Sequence, residues 1–389
     1  MQSAEQAQSP RIHFYNLDVL RFIAAFLIVI VHGYNAVLGW TGIPEPLRNN
    51  PEVAIHDVKN LNAVGLFLHR LIENFSLGVE FFFLISGFLI TYLLLTELKS
   101  TGKIHIPHFY IRRLLRIWPL YFLILALTPI IVNWTDFNEP HYWWNIFFVN
   151  NYIAIKEAMH EPGLAHYWTI CVEEHFYLAW PILLFFTPNK KMPVLFASII
   201  LLSIVSRWYY FATNDNWYIH SQLNTICRID TMAIGGWFAW LAINKPFQLK
   251  ISGWIRAMVY VVLIFLICFD DSKQTESYFL VGFKRLVYTS FFCFWLLNYL
   301  FNPNAWCNFK KKNVLHYFGK ISFGLYMYHN ILFPILFKKI IWEYHLDGFW
   351  WFWLIYISLV FALSIVSYEL IEKPILKWKD RFAVVRTTR

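Results

Sequence analysis

Apolar and polar positions along this chain come in long blocks, with little of the short period that marks half-buried elements of soluble folds. Apolar runs of about 15–22 residues, enough to cross a bilayer when tilt and burial are allowed for, lie near 17–38, 77–97, 117–134, 168–187, 193–212, 226–243, 255–269, 279–300, 317–338 and 349–370. Lipid offers backbone groups no hydrogen bonds, so such runs span as helices. The pattern predicts an all-α fold, a polytopic transmembrane helix bundle of about ten spans. The run at 255–269 is the shortest, and 279–300 carries Lys284 and Arg285 near its outer end. The aromatic segment HYWWNIFFVNNYI (141–153) is too short to cross and is expected at the interface or as a re-entrant piece. No repeat, low-complexity tract or long linker divides the chain. Residues 14–375 therefore read as one transmembrane domain, between a short tail at 1–13 and a basic tail at 376–389.

The loops alternate in charge. Lys99, Lys103, Arg112, Arg113 and Arg116 lie between the second and third runs, and Lys190 and Lys191 follow the fourth. Lys245, Lys250 and Arg256 follow the sixth; Lys310, Lys311, Lys312 and Lys320 follow the eighth. The loops between are mixed or acidic, with Asp136, Glu139, Glu157 and Glu161 in one and Asp270, Asp271 and Glu276 in another. By the positive-inside rule the basic set is cytoplasmic. Both termini are then cytoplasmic, in agreement with an even number of spans.

Composition supports this class: the 389 residues are 58% hydrophobic and 15% charged, where a soluble domain is about a quarter charged. The expected location is the inner (plasma) membrane. The net charge of +9 is explained by the basic loops and their contacts with membrane lipids, without invoking nucleic acid. The five cysteines form no CxxC pair, so neither a disulfide framework nor a metal site is expected. The polar N-terminal stretch, with Asp18 and Arg21, leaves no apolar core for a cleaved signal peptide.

Polar residues inside apolar runs carry the candidate chemistry. Glu173 and Glu174 sit side by side in HYWTICVEEHFYLAWP (166–181), and a carboxylate at such depth costs roughly 2.5 kcal/mol or more. Counting about 1.5 Å of rise per residue, His32 lies roughly 22 Å up the first span and Arg21 roughly 6 Å, on one face. The two glutamates lie roughly 8–10 Å below the outer end of the fourth. His32 and the carboxylates are thus expected at one depth, as a catalytic set in the outer half of the membrane. A carboxylate that orients an imidazole makes it a better base. Adjacent helical residues diverge by about 100°, so only one glutamate is expected to face His32. The bland alternative is a set of satisfied core polar groups.

On the cytoplasmic side, Arg21, Arg112, Arg113 and Arg116 form a cluster suited to phosphate, or else anchors of topology touching lipid head groups. Ser86 and Gly87, in FFFLISGFLIT, either let helices pack closely or let a ligand reach the backbone. Arg228 and Asp230 could pair with each other, and His329 could be satisfied by its tyrosine-rich surroundings. All three, with Trp168 and Tyr177 beside the glutamates, are also candidate substrate contacts.

Several stretches occur in the order seen in one known family. LDVLRFIAAFLIVIVH (17–32), FFFLISGFLIT (81–91), RRLLRIWPLY (112–121), HYWTICVEEHFYLAWP, RIDTMAIGG (228–236), ISFGLYMYH (321–329) and EKP (372–374) together resemble the acyltransferase-3 family of multi-pass membrane acyltransferases. The resemblance implies transfer of an acyl group, usually acetyl, from cytoplasmic acyl-CoA (acetyl-CoA) to a hydroxyl of a glycan or other acceptor, with no permanently bound cofactor. It implies that His32 is the essential histidine, that Arg21, Arg112, Arg113 and Arg116 hold the donor, and that Glu173 and Glu174 are the acidic pair; Ser86 and Gly87 stand beside them as candidate donor contacts. His175 stands where the family commonly has glutamine. The chain ends about 15 residues after EKP, so the form without an appended hydrolase-like domain is expected. A proton-coupled transporter or glycan flippase, which also uses intramembrane His, Glu and Arg, is the alternative. The missing repeats and the single basic mouth weigh against it.

Overall fold

The computed structural model of the chain describes residues 11–12, 14–40, 62–136, 139–157, 163–245, 248–269, 277–306, 313–341, 349–382 and 386–387. The charges noted at Glu161, Asp270, Asp271, Glu276, Lys310, Lys311 and Lys312 lie outside these residues, as does Cys307. Each of the ten apolar runs is a helix. In chain order these are α1 (Tyr15–Trp40), α3 (Gly78–Thr101), α4 (Ile106–Thr135), α7 (Tyr167–Phe186), α8 (Met192–Thr213), α10 (Thr225–Asn244), α11 (Gly253–Phe269), α12 (Tyr278–Phe301), α13 (Val314–Ile335) and α14 (Phe349–Ser367). Shorter helices intervene: α2 (Ala63–Glu73), α5 (Tyr142–Ile146), α6 (Asn150–Lys156), α9 (Trp217–Leu223) and α15 (Lys373–Lys379).

Among the described residues, eight helical segments are long and apolar enough to cross a membrane. The run α11 is shorter, and α13, with Lys320 and two histidines, is not among the eight. Side chains such as Phe186, Trp254, Leu201 and Trp350 stand exposed on the outside of the bundle, as expected of a surface that meets lipid. This is a multi-pass membrane protein.

Local chemistry explains where several helices begin and end. Asn224, Ser277 and Asn313 cap α10, α12 and α13, their side chains accepting from free backbone N–H groups. Gly102 ends α3 with φ of 74°, a left-handed conformation that glycine adopts without a Cβ penalty. The 141–153 segment forms the two short helices α5 and α6, with Trp143 and Phe147 exposed but Asn145, Asn150 and Asn151 buried. The Tyr121 hydroxyl donates to the Asn145 carbonyl at 2.7 Å, tying the segment to α4.

The tightest packing is α3 against α10. A Cβ on Gly87 would stand 2.0 Å from the Met232 carbonyl oxygen, and one on Gly235 would stand 2.3 Å from that of Leu84. The two backbones touch only because both positions are glycine. The other long contact is α1 along α13. At the chain ends, Arg11–Ile12 (β1) pairs in parallel with Arg386–Thr387 (β2), so the first and last described segments lie together at one end of the bundle.

Candidate functional site

Three imidazoles, His166 and His329 buried and His32 partly buried, meet between α1, α13 and the turn that opens α7. His32 Nδ1 and His329 Nε2 are 2.7 Å apart, with the ring planes within 13° of parallel and the centroids 4.9 Å apart, so the two rings meet edge to edge through these nitrogens. The other His329 nitrogen, Nδ1, hydrogen-bonds the Tyr326 carbonyl one turn back. His166 stands edge-on to His329, ring centroids 4.8 Å apart, close to the Met327 backbone and sharing no hydrogen bond with either of the other imidazoles. The Tyr326 hydroxyl donates to the His166 carbonyl at 3.0 Å, fixing the turn that carries this ring. His32 also lines a cavity of about 520 Å³ together with Asn35, Arg70, Glu73, Trp217, Gln222 and Lys284.

The carboxylates form a second, separate level. Glu173 interacts with the hydroxyls of Ser86 and Tyr177 and lies in electrostatic reach of Arg113 and Arg21. Ser86 and Tyr177 are themselves hydrogen-bonded. Glu174 meets the Trp118 side chain, while its Oε1 is buried without a partner. No hydrogen bond or ion pair joins His32 to either glutamate; the expected facing of histidine and carboxylate is replaced by His32 facing His329. The reason lies in α7, whose first residue, Tyr167, is 0% exposed, with His166 before it 2% exposed. The helix starts inside the bundle. Its first turn reaches the imidazole level, and Glu173, seven residues beyond His166, lies about 10 Å further along the axis.

Arg21, Arg113 and Arg116 belong to the carboxylate level and feel one another's charge. Arg113 stacks against Phe109 and Tyr177, at 5.5 and 5.6 Å from their centroids, and its buried Nε has no partner. Arg21 reaches Asp18 only at 4.0 Å. Three cations thus converge on few counter-charges, an arrangement that an anion would stabilise. Arg112 is not part of it. It pairs with Glu97 at 3.3 Å and donates to the Phe382 carbonyl at 2.6 Å, locking α4 to α3 and to the C-terminal turn. Gly87, proposed from the sequence as a donor contact, faces the Met232 backbone instead.

Arg228 and Asp230 do not pair with each other. Arg228 binds Glu80 at 2.7 Å and Gln222 at 3.0 Å, and lies over the Trp168 ring at 5.2 Å. Asp230 binds Arg207 at 2.7 Å, and Arg285 also reaches Glu80, at 3.2 Å. This buried network joins α3, α8, α10 and α12 and adjoins the cavity, whose lining includes Glu80, Arg207 and Arg285. His175 meets Thr225 Oγ1 at 2.8 Å, away from the imidazoles.

A family model described as an acyltransferase domain, of type 3, matches residues 14–369. The chain belongs to the acyltransferase-3 family. Relatives include the O-acetyltransferase OatA of Staphylococcus aureus strain NCTC 8325 / PS 47, 27% identical over 349 residues that cover 81% of this chain and 55% of OatA. A candidate O-acetyltransferase of strain COL is 28% identical over 357 residues, covering 82% of this chain and 56% of its own length. The chain spans little more than half the length of these relatives. No solved structure matches it.

Within this family member, His166, Glu80 and Arg207 are the residues that sequence reasoning missed, while Arg285 was noted only as a charge near the outer end of its run. His166 opens the stretch that holds the glutamates and sits one residue before the helix, so it read as a loop position. Glu80 and Arg207 had a usable signal, since each is a charge with apolar residues to both sides inside a long apolar run.

Proposed function

We propose that this chain is a membrane O-acyltransferase that moves an acyl group, acetyl in the first instance, from acyl-CoA to a hydroxyl of a carbohydrate-type acceptor. The observation that carries the reading is the placement of His32: it borders a polar cavity, and an arginine cluster lies one level away. The donor's phosphates would sit against Arg21, Arg113 and Arg116 at the end of the bundle where the basic loops gather, which is cytoplasmic by the positive-inside rule. The thin pantetheine arm would run past Tyr177 and Glu173 toward the imidazoles. The acceptor would enter through the cavity from the opposite, outer half of the membrane. There Trp217 and Tyr218 offer faces for a sugar ring, and Asn35, Gln222 and Glu73 offer partners for its hydroxyls.

In the reaction, His32 takes the proton of the acceptor hydroxyl as its oxygen attacks the thioester carbonyl. The carbon–sulfur bond then breaks, the acyl group stays on the acceptor oxygen, and the CoA thiolate takes up a proton. The test uses full-length protein in lipid nanodiscs with acetyl-CoA labelled in the acetyl group. Labelled acetyl should leave CoA, to an added glycan or to water, and His32→Ala should lower that rate by about 10²–10⁴-fold while the protein remains monodisperse. Label that stays on CoA, or a His32→Ala variant with more than a tenth of wild-type turnover, would overturn the assignment.

A further inference from the structure

We propose that His329 is a positioning residue that fixes the tautomer of His32, leaving Nε2 of His32 as the nitrogen whose lone pair meets the cavity. The inference rests on the reading of His32 as the base and assigns the group that prepares it. A backbone carbonyl only accepts hydrogen bonds, so the Nδ1 of His329 against the Tyr326 carbonyl carries its proton. In a neutral imidazole the other nitrogen is then an acceptor. His329 Nε2 therefore presents a lone pair to His32 Nδ1, 2.7 Å away, and His32 Nδ1 must be the donor. By the same rule, Nε2 of His32 has no proton.

Two features of the surroundings sustain this order. A second proton on His329, 0% exposed, would bury a charge with no carboxylate among its polar partners, which is costly. His166 packs its ring edge against His329 without sharing a hydrogen bond with it, confining the ring without competing for its nitrogens. A shared metal ion does not explain the pair. Two imidazole nitrogens bound to one tetrahedral zinc stand about 3.3 Å apart, whereas these are 2.7 Å apart and face each other edge to edge in nearly one plane.

The test is nitrogen-15 NMR of full-length protein labelled at histidine, in nanodiscs and without substrates, with His32 assigned by its absence from the His32→Ala spectrum. In the wild type, Nδ1 of His32 should give the protonated signature and Nε2 the unprotonated one. His329→Gln offers a carbonyl oxygen where the acceptor was and should keep that pattern. His329→Phe removes the acceptor while filling much of the same space; it should shift His32 toward the Nε2-protonated form and lower kcat for acetyl release by about 10²-fold, with KM for acetyl-CoA unchanged. A wild-type His32 protonated at Nε2, or the same tautomer in wild type and His329→Phe, would overturn the proposal. If His329→Phe does not fold, the wild-type and His329→Gln spectra decide it. Because the tautomer is read without substrate, failure to turn over acetyl-CoA counts against the functional reading and leaves this one standing.

Discussion

Arg112 and Arg113 are neighbours in sequence and part company in space. About 100° of helical rotation sends Arg112 to Glu97 and the C-terminal turn, and Arg113 to the partly buried group with Arg21 and Arg116. The two should therefore fail differently. Arg113→Ala and Arg116→Ala are expected to raise KM for acetyl-CoA about tenfold or more with kcat less affected, because they remove ground-state binding. Arg112→Ala should leave KM in place and lower the thermal midpoint, since Glu97, only 1% exposed, loses its counter-charge and keeps only the His105 backbone N–H. Steady-state kinetics beside a melting curve separate the two. At this scale the sequence was legible for identity and not for partnership. The types His32, Glu173 and Arg113 stood out as polar residues in apolar runs. Pairing His32 with the glutamates failed because apolar length does not show that α7 begins inside the bundle, which sets Glu173 about 10 Å from the imidazole level. His329 became the partner instead, brought there by the packing of α13 along α1.

Among elements, legibility was higher, because a run of apolar residues in lipid has one stable backbone solution. Every expected run is a helix, and the errors are at the ends: α4 starts at Ile106, eleven residues before the run at 117, since its first turns carry the arginines. The amphipathic α2 was not anticipated. It joins α3 through a 3₁₀ turn at Asn74–Leu77, and its residues Arg70 and Glu73 line the cavity. Contact between helices was legible only as an alternative, since a Ser-Gly pair serves packing or a ligand equally well. The structure decides for packing at Gly87. Gly87→Ala would force the Met232 backbone away from α3, so we expect a loss of monodisperse protein in size-exclusion chromatography and a lowered thermal midpoint, with the same outcome for Gly235→Ala. A stable, fully active Gly87→Ala variant would show that this approach is not needed.

For the molecule as a whole, function would join two ends of one bundle. The β1–β2 pairing brings the first and last described segments together, as an even number of crossings would, and by the positive-inside rule we propose that this end is cytoplasmic. The imidazole level lies between the arginine group and the cavity, so donor and acceptor would reach His32 from opposite faces of the membrane. This two-sided supply is the central claim, and sealed vesicles of known orientation test it most directly. Acetyl-CoA does not cross lipid, so when added outside it should support acetyl release in inside-out vesicles, whose cytoplasmic face is outward. It should fail to do so in right-side-out vesicles until they are permeabilised. Equal rates in both orientations before permeabilisation would contradict the account.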